Sequence, residues 1–190
     1  MNHDHTPTQF EEFYRQEARA VYRFVYSRVG NHADALEVVQ ESFLALYRLK
    51  PGGEGGDCPD RALLFRLARN RAIDLLRRRR TRDAFGQEAA TGNVLPFRIA
   101  EPRTPEDALL EKEREQLAAA ALAGLSERDR ECLALRRSGL NYREIASALN
   151  VNPTSVGQLI NRALRRFADA YEALLGKKGT DEKAGKTRGE

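Results

Sequence analysis

The chain has 190 residues, of which 41% are hydrophobic and 32% are charged. This length allows one or two domains, and the high charged fraction favours small helical domains over one large globule. The formal net charge of +4 is unevenly placed, with basic clusters at 77–80 and 162–166, which favours a nucleic-acid partner over a diffuse solubility effect.

The cysteines and histidines exclude several classes of protein. Cys58 and Cys132 belong to different predicted segments, so we expect no structural disulfide and a reducing compartment. No stretch is apolar enough to span a membrane, and the N-terminus lacks a signal-peptide pattern. We therefore predict a cytoplasmic protein without membrane insertion. The His and Cys residues do not gather at spacings suited to catalysis or zinc, so no enzyme activity, metal or cofactor is predicted.

Apolar residues at helical spacing predict three helices in the first half of the chain, over 10–29, about 33–49 and about 60–80. Gly30 is expected to end the first helix. The second helix is predicted to bury a stripe of four residues: Leu36, Val39, Phe43 and Leu46.

A different face of the second helix carries acidic and amide side chains and ends on a leucine. Its members are Asp34, Glu37, Gln40, Glu41 and Leu44. A solvated acidic face is the usual explanation of such a row. An exposed leucine that continues the row favours an interface.

The third helix presents a basic face outside its apolar stripe. Its members are Arg66, Arg69, Asn70, Arg77 and Arg78. The run Arg77–Arg80 is too dense to be paired internally, so we expect it to meet phosphate.

Glycines and prolines interrupt any helical pattern over 83–104, which predicts a flexible linker and a domain boundary. Further helices are predicted from Pro105 onward, and Ser126 with Asp129 predicts a capping box that opens one of them. The tail at 176–190 has no apolar face and is expected to be disordered. The predicted fold is all-α, with two small helical domains at 10–82 and 105–175 joined by this linker.

The stretch 141–167 has the pattern of a helix-turn-helix. Asn141 and Glu144 predict a capping box, and Asn150 suits a left-handed turn position. Asn152 followed by Pro153 restarts a helix. The outer face of the helix that starts at Pro153 carries amides, hydroxyls and arginines: Thr154, Ser155, Gln158, Asn161, Arg162, Arg165 and Arg166. Such side chains pair with base edges or phosphate; the simpler alternative is a helical hairpin with a solvated charged face.

Three stretches in this order resemble the extracytoplasmic-function (ECF) sigma factors of bacterial RNA polymerase. Residues 34–43, DALEVVQESF, are similar to the family's polymerase-binding helix, and residues 64–78, LFRLARNRAIDLLRR, to its promoter −10 helix. Residues 125–167 resemble its −35-binding domain. Gly157 and Leu159 stand where the family often carries Lys and Arg.

The resemblance implies a function and a set of partners. The acidic and leucine face of the second helix would bind the clamp of the largest subunit of core polymerase. The basic face of the third helix would bind the −10 element, and the helix-turn-helix would bind the −35 element of promoter DNA. An anti-sigma factor is a further implied partner. Two alternatives are a helix-turn-helix regulator that works without polymerase and a helical adaptor that binds only proteins.

Overall fold

The computed structural model describes residues 9–49, 60–83 and 105–186, and every regular element within these ranges is an α-helix. The helices are α1 (Gln9–Val29), α2 (His32–Leu49), α3 (Arg61–Asp83), α4 (Pro105–Ala123), α5 (Glu127–Arg137), α6 (Tyr142–Leu149) and α7 (Pro153–Lys186). The predicted all-α fold is confirmed. The predicted linker at 83–104 lies outside the described residues, apart from the last residue of α3.

The described residues pack into two compact units. The first takes its residues from 1–93 and 134–156, and the second from 94–133 and 157–190. The first unit therefore contains α1, α2, α3 and α6, because α6 packs against α3. This grouping crosses the boundary drawn from the sequence. The division into domains at 10–82 and 105–175 stays a prediction.

The core of the first unit forms where α1, α2 and α3 pack pairwise. Phe24 of α1 and Phe65 of α3 meet edge to face, with ring centroids 5.4 Å apart, and both side chains are buried. Gly30 ends α1 with a φ of 68°, a left-handed value that glycine adopts without steric cost. Asn31 then caps α2, because its Oδ1 accepts from the backbone N–H of Ala33 at 2.8 Å.

The buried stripe of α2 differs from the prediction at one position. Val39, Phe43 and Leu46 are buried as expected, but Leu36 is exposed. The helix rotates so that Ala35 faces the core in the first turn. The prediction for Leu36 was wrong because the smaller neighbouring residue occupies the inner face.

Arg61, the first residue of α3, joins three parts of the first unit. Its Nε donates to Glu17 of α1 at 2.8 Å, and its two Nη atoms donate to the carbonyls of Ser138 at 2.7 Å and Gly139 at 3.0 Å. The guanidinium also lies 5.7 Å from the ring centroid of Phe65. These contacts hold the turn between α5 and α6 against the start of α3.

The last helix is longer than the sequence predicted. α7 continues to Lys186, so most of the tail expected to be disordered is assigned as helix. The expectation rested on the missing apolar face. The residues of this stretch include Lys, Glu and Ala, which have high intrinsic helix propensity and continue the helix without a breaker other than glycine.

Candidate functional site

The predicted polymerase-binding row of α2 is an exposed surface over most of its length. Glu37, Gln40, Glu41 and Leu44 are all exposed, and Leu44 keeps 54% of its area in contact with solvent. Residues three and four apart share one side of a helix, so these side chains are presented together. Asp34 is the exception, since it is half-buried.

The exposed surface of α2 is more apolar than the sequence row indicated. Leu36 and Tyr47 are also exposed. Leu36 lies eight residues before Leu44, and Tyr47 lies three residues after it, so both extend the same side of the helix. The helical spacing from Leu44 was the signal that could have identified them. An apolar strip bordered by carboxylates favours contact with a protein partner over exposure to solvent.

Two ion pairs join this helix to α3. Arg79 pairs with Asp34, and the Nη1 of Arg71 lies 2.8 Å from the Oε2 of Glu41. The expectation that the run from 77 to 80 has no internal partners was therefore wrong for Arg79. Helical geometry explains the difference, because Arg71 and Arg79 lie two turns apart on the side of α3 that faces α2.

Most of the predicted −10 residues lie away from the side of α3 that faces α2. Arg66, Asn70, Arg77 and Arg78 are exposed, whereas Arg69 is half-buried. The contact of Arg77 with its neighbour Asp74 is long, at 3.9 Å, and both side chains are mostly in solvent. The exposed arginines Arg66, Arg77 and Arg78 present positive charge outward, as a phosphate-binding face requires.

The turn of the helix-turn-helix has the backbone geometry that its sequence predicted. The side chain of Asn141 accepts from the N–H of Glu144 at 3.0 Å, and the Glu144 carboxylate accepts from the N–H of Asn141 at 2.6 Å. Asn150 ends α6 in the left-handed region, with a φ of 53°. Asn152 then accepts from the N–H of Thr154 at 3.0 Å and so caps α7. The capping box and both helix boundaries are therefore set by local side chains.

The predicted −35 residues lie along the first third of α7. Thr154, Gln158, Asn161, Arg162 and Arg165 are exposed, and Ser155 is half-buried. The hydroxyl of Thr154 already donates to the Asn152 side chain at 2.8 Å, which leaves it as an acceptor. Leu159 is buried, so it contributes to the core rather than to this surface.

Arg162 has a partner that the sequence did not reveal. Its Nη2 lies 3.1 Å from Oδ1 of Asp129, and Nη1 of Arg166 lies 2.6 Å from Oδ2 of the same carboxylate. Asp129 has no solvent exposure. The capping box predicted at Ser126 and Asp129 indicates only the start of a helix, so the sequence carries no signal of the long-range ion pair.

The buried carboxylate also affects its surroundings. Burial raises the pKa of the Cys132 thiol, and the negative charge of Asp129 raises it further. Cys132 is fully buried, so its thiol stays protonated at neutral pH.

The described residues lack two further features. Within the parts of the chain that the structure describes, no cluster of three or more His, Cys, Asp or Glu side chains could hold a metal ion. None of the helices described combines the length and the apolar character needed to cross a bilayer.

Two family models match the chain in the order that the motifs suggested. The model of Sigma-70 region 2 matches residues 13–82, which cover α2 and nearly all of α3. The model of Sigma-70 region 4 matches residues 115–167, which include α5, α6 and the start of α7.

Whole-chain relatives carry the same assignment. The ECF RNA polymerase sigma factor SigL of Mycobacterium tuberculosis is 31% identical over 165 residues, which are 85% of this chain and 88% of SigL. The chain belongs to the ECF sigma factor family. The ECF sigma factor BldN of Streptomyces coelicolor is 34% identical over 162 residues, which are 84% of this chain but only 59% of BldN. SigE of Mycolicibacterium smegmatis is likewise covered over 60% of its length, so the chain spans about three fifths of these two relatives.

Solved structures agree with the fold of an ECF sigma factor. The sigma factor RpoE of Bartonella quintana, in complex with the anti-sigma factor NepR, aligns with a TM-score of 0.62 over 86% of this chain and 96% of RpoE, at 20% identity. CnrH, in complex with the cytosolic domain of CnrY, aligns with a TM-score of 0.58 over 86% of this chain and 88% of CnrH, at 25% identity. Within this ECF sigma factor, the α2 and α3 surfaces thus fall in region 2, and the helix-turn-helix falls in region 4.

Proposed function

We propose that this ECF sigma factor is a dissociable specificity subunit of RNA polymerase, which binds core polymerase and directs transcription from promoters with its own −10 and −35 elements. The observation that carries this proposal is the pairing of surfaces in region 2. An exposed acidic and apolar face on α2 is tied by ion pairs to α3, whose opposite side presents arginines. A regulator that works without polymerase needs only the helix-turn-helix.

Each surface has a role in this proposal. The face formed by Asp34, Glu37, Gln40, Glu41 and Leu44, extended by Leu36 and Tyr47, binds the clamp of the largest polymerase subunit. The basic face of α3 contacts the −10 element, and single-stranded bases there stack on or enter pockets of the protein. Residues near the start of α7 contact the −35 element: Thr154, Ser155, Gln158, Asn161 and Arg165. The linker at 83–104 joins the two binding domains, so that two weak DNA contacts add through effective concentration.

We further propose an anti-sigma factor as a regulatory partner, and a cytoplasmic location shared with polymerase and DNA. The support for the partner is that RpoE of Bartonella quintana, which shares this fold, was solved in complex with an anti-sigma factor. In this proposal the protein performs no chemistry of its own, because the polymerase supplies the catalytic centre and the sigma factor supplies positioning.

The test is transcription by core polymerase mixed with the full chain, on templates that contain or lack a candidate promoter. We expect promoter-dependent transcripts only when both proteins are present. The variant Glu37→Lys/Glu41→Lys should lose binding to core polymerase while it keeps its helical content. The matched control is Asp169→Lys/Glu172→Lys, which changes the charge equally at exposed positions of α7.

The alternatives give different results in the same assay. Protection of promoter DNA by the chain without core polymerase would favour a regulator that works alone. Undiminished polymerase binding by the Glu37→Lys/Glu41→Lys variant would remove α2 as the docking surface.

A further inference from the structure

One buried carboxylate of α5 holds two arginines of the proposed recognition helix. Asp129 accepts from Arg162 through Oδ1 at 3.1 Å and from Arg166 through Oδ2 at 2.6 Å. The two arginines lie four residues apart, on the same side of α7. Their side chains keep 48% and 54% of their area in solvent, so each guanidinium is held at one end and open at the other.

The carboxylate is charged in this setting. Burial alone raises the pKa of Asp129, but hydrogen bonds with Ser126, Arg166 and Arg162 outweigh it, and the net pKa lies below its ordinary value of 3.8. A buried ionised carboxylate is stable only while it stays paired. The cluster therefore carries one negative and two positive charges at neutral pH, a net charge of +1.

This charge balance matters on a helix that reads DNA. An arginine that binds phosphate does so whatever the base sequence, so such contacts raise affinity for all DNA alike. Amide side chains such as those of Gln158 and Asn161 bind base edges and discriminate between sequences. The ratio between the two kinds of contact sets how selective the helix is.

We propose that Asp129 is a specificity-determining positioning residue: it holds Arg162 and Arg166 back from phosphate and leaves promoter choice to Gln158 and Asn161. This role rests on the proposed function, in which α7 reads the −35 element. Asp129 itself is buried and touches no DNA; it acts through the arginines.

The test uses holoenzyme assembled from core polymerase and the full chain, with Asp129→Asn as the main variant. Asparagine keeps the shape and one acceptor oxygen, so it holds one arginine and releases the other to phosphate, and the charge of the cluster rises from +1 to +2. Binding is measured from 50 to 200 mM salt on a promoter and on the same DNA with a scrambled −35 element. We expect the slope of log affinity against log salt to steepen by about 0.9, which is an extra loss of about 3.5-fold across this range. The preference for the promoter over the scrambled DNA should fall.

Two further variants separate this role from net charge and from simple stability. Asp169→Asn removes the same charge from an exposed site on α7 and should leave the slope and the preference unchanged. Arg166→Gln leaves Asp129 paired with Arg162 and should also leave the slope unchanged, because Arg166 contacts no phosphate in this proposal. This variant keeps the proposal testable should Asp129→Asn fold poorly.

Each remaining outcome counts against the proposal. An Asp129→Asn holoenzyme that binds both DNAs more weakly with an unchanged slope would make Asp129 structural only. A steeper slope for Asp169→Asn as well would mean that net charge alone explains the change in slope. A slope shallower by about 0.9 for Arg166→Gln would place Arg166 on phosphate already. If the unaltered holoenzyme itself ignored the −35 sequence, the proposed function would fail together with the role of Asp129, whereas the other outcomes leave that function intact.

Discussion

The substitution Arg61→Met tests how the helix-turn-helix is tied to α3. Arg61 donates to Glu17 on α1 and to the two carbonyls, of Ser138 and Gly139, that follow α5. A cation at these carbonyls is also favoured by the negative end of the α5 dipole. Methionine keeps the apolar stem that lies along α3 and removes only the guanidinium.

The expected loss follows from the three hydrogen bonds. A hydrogen bond to a charged group contributes about 1.5–3 kcal/mol. The side chain of Arg61 is 25% exposed and that of Glu17 is 14% exposed, so water replaces part of what is lost. Glu17 nevertheless keeps a largely buried charge without its partner, which is the costly way to break an ion pair. Together these contributions lower the free energy of unfolding by about 2–4 kcal/mol, which is less than the simple sum of three hydrogen bonds.

Two measurements check this value. Urea unfolding followed by helical signal should show the loss for Arg61→Met, and the control Arg66→Met should stay within about 0.5 kcal/mol, because Arg66 is exposed on the next turn. Amide hydrogen exchange should become faster in α6 for Arg61→Met, while α2 keeps its protection. Equal stability of the two variants, together with unchanged exchange in α6, would refute the idea that this guanidinium holds the turn.

Three further predictions concern α7 and the residues that cap or pair with its neighbours. Gln158→Ala or Asn161→Ala should each lose about 1–3 kcal/mol of binding free energy and change the preferred −35 bases in a randomised library. Arg165→Ala should weaken binding to all sequences alike. An altered base preference for Arg165→Ala alone would mean that a different side of the helix faces the bases. The pKa of Asp129 in the folded protein lies below its ordinary value of 3.8. The stability from its ion pairs is therefore complete above pH 3.8 and is lost as the pH falls through the folded pKa. The free energy of unfolding, measured against pH in acid, should show this loss, and Asp129→Asn should not show it. Asn150→Val should cost about 1–2 kcal/mol in thermal unfolding and Asn150→Gly should not, because the position has a left-handed backbone.

Local features of the helix-turn-helix were predictable because the residues that cause them are close in sequence. The capping box of Asn141 and Glu144, the left-handed Asn150 and the cap at Asn152 each depend on contacts within four residues. The apolar period placed α1, α2 and α3 within three residues of their observed ends for the same reason. The same period also predicted most of the exposed residues of the proposed binding faces.

Long-range pairing was not predictable from the same patterns. Asp129 was interpreted as a capping residue, and nothing in its neighbourhood indicates that Arg162 and Arg166, more than thirty residues away, share its carboxylate. The pairs of α2 with α3 were missed likewise, because one helical period shows which side a residue occupies but not what covers that side. Ion pairs depend on tertiary geometry, and their partners are fixed only once the helices pack.

The contact between α3 and α6 bears on how one molecule would occupy a whole promoter. In the proposed function, α3 binds the −10 element while α7 binds the −35 element of the same promoter. Arg61 holds the turn before α6 against the start of α3, which restricts how far α6 can move away from α3. We expect these contacts to break when both elements are bound. We expect Arg61→Met holoenzyme to gain affinity for a two-element promoter relative to a template that carries only the −10 element, since the variant has already lost these contacts. The ratio of the two affinities, compared with that of the unaltered holoenzyme, measures the effect, and an unchanged ratio would mean that the contact between α3 and α6 does not oppose promoter binding.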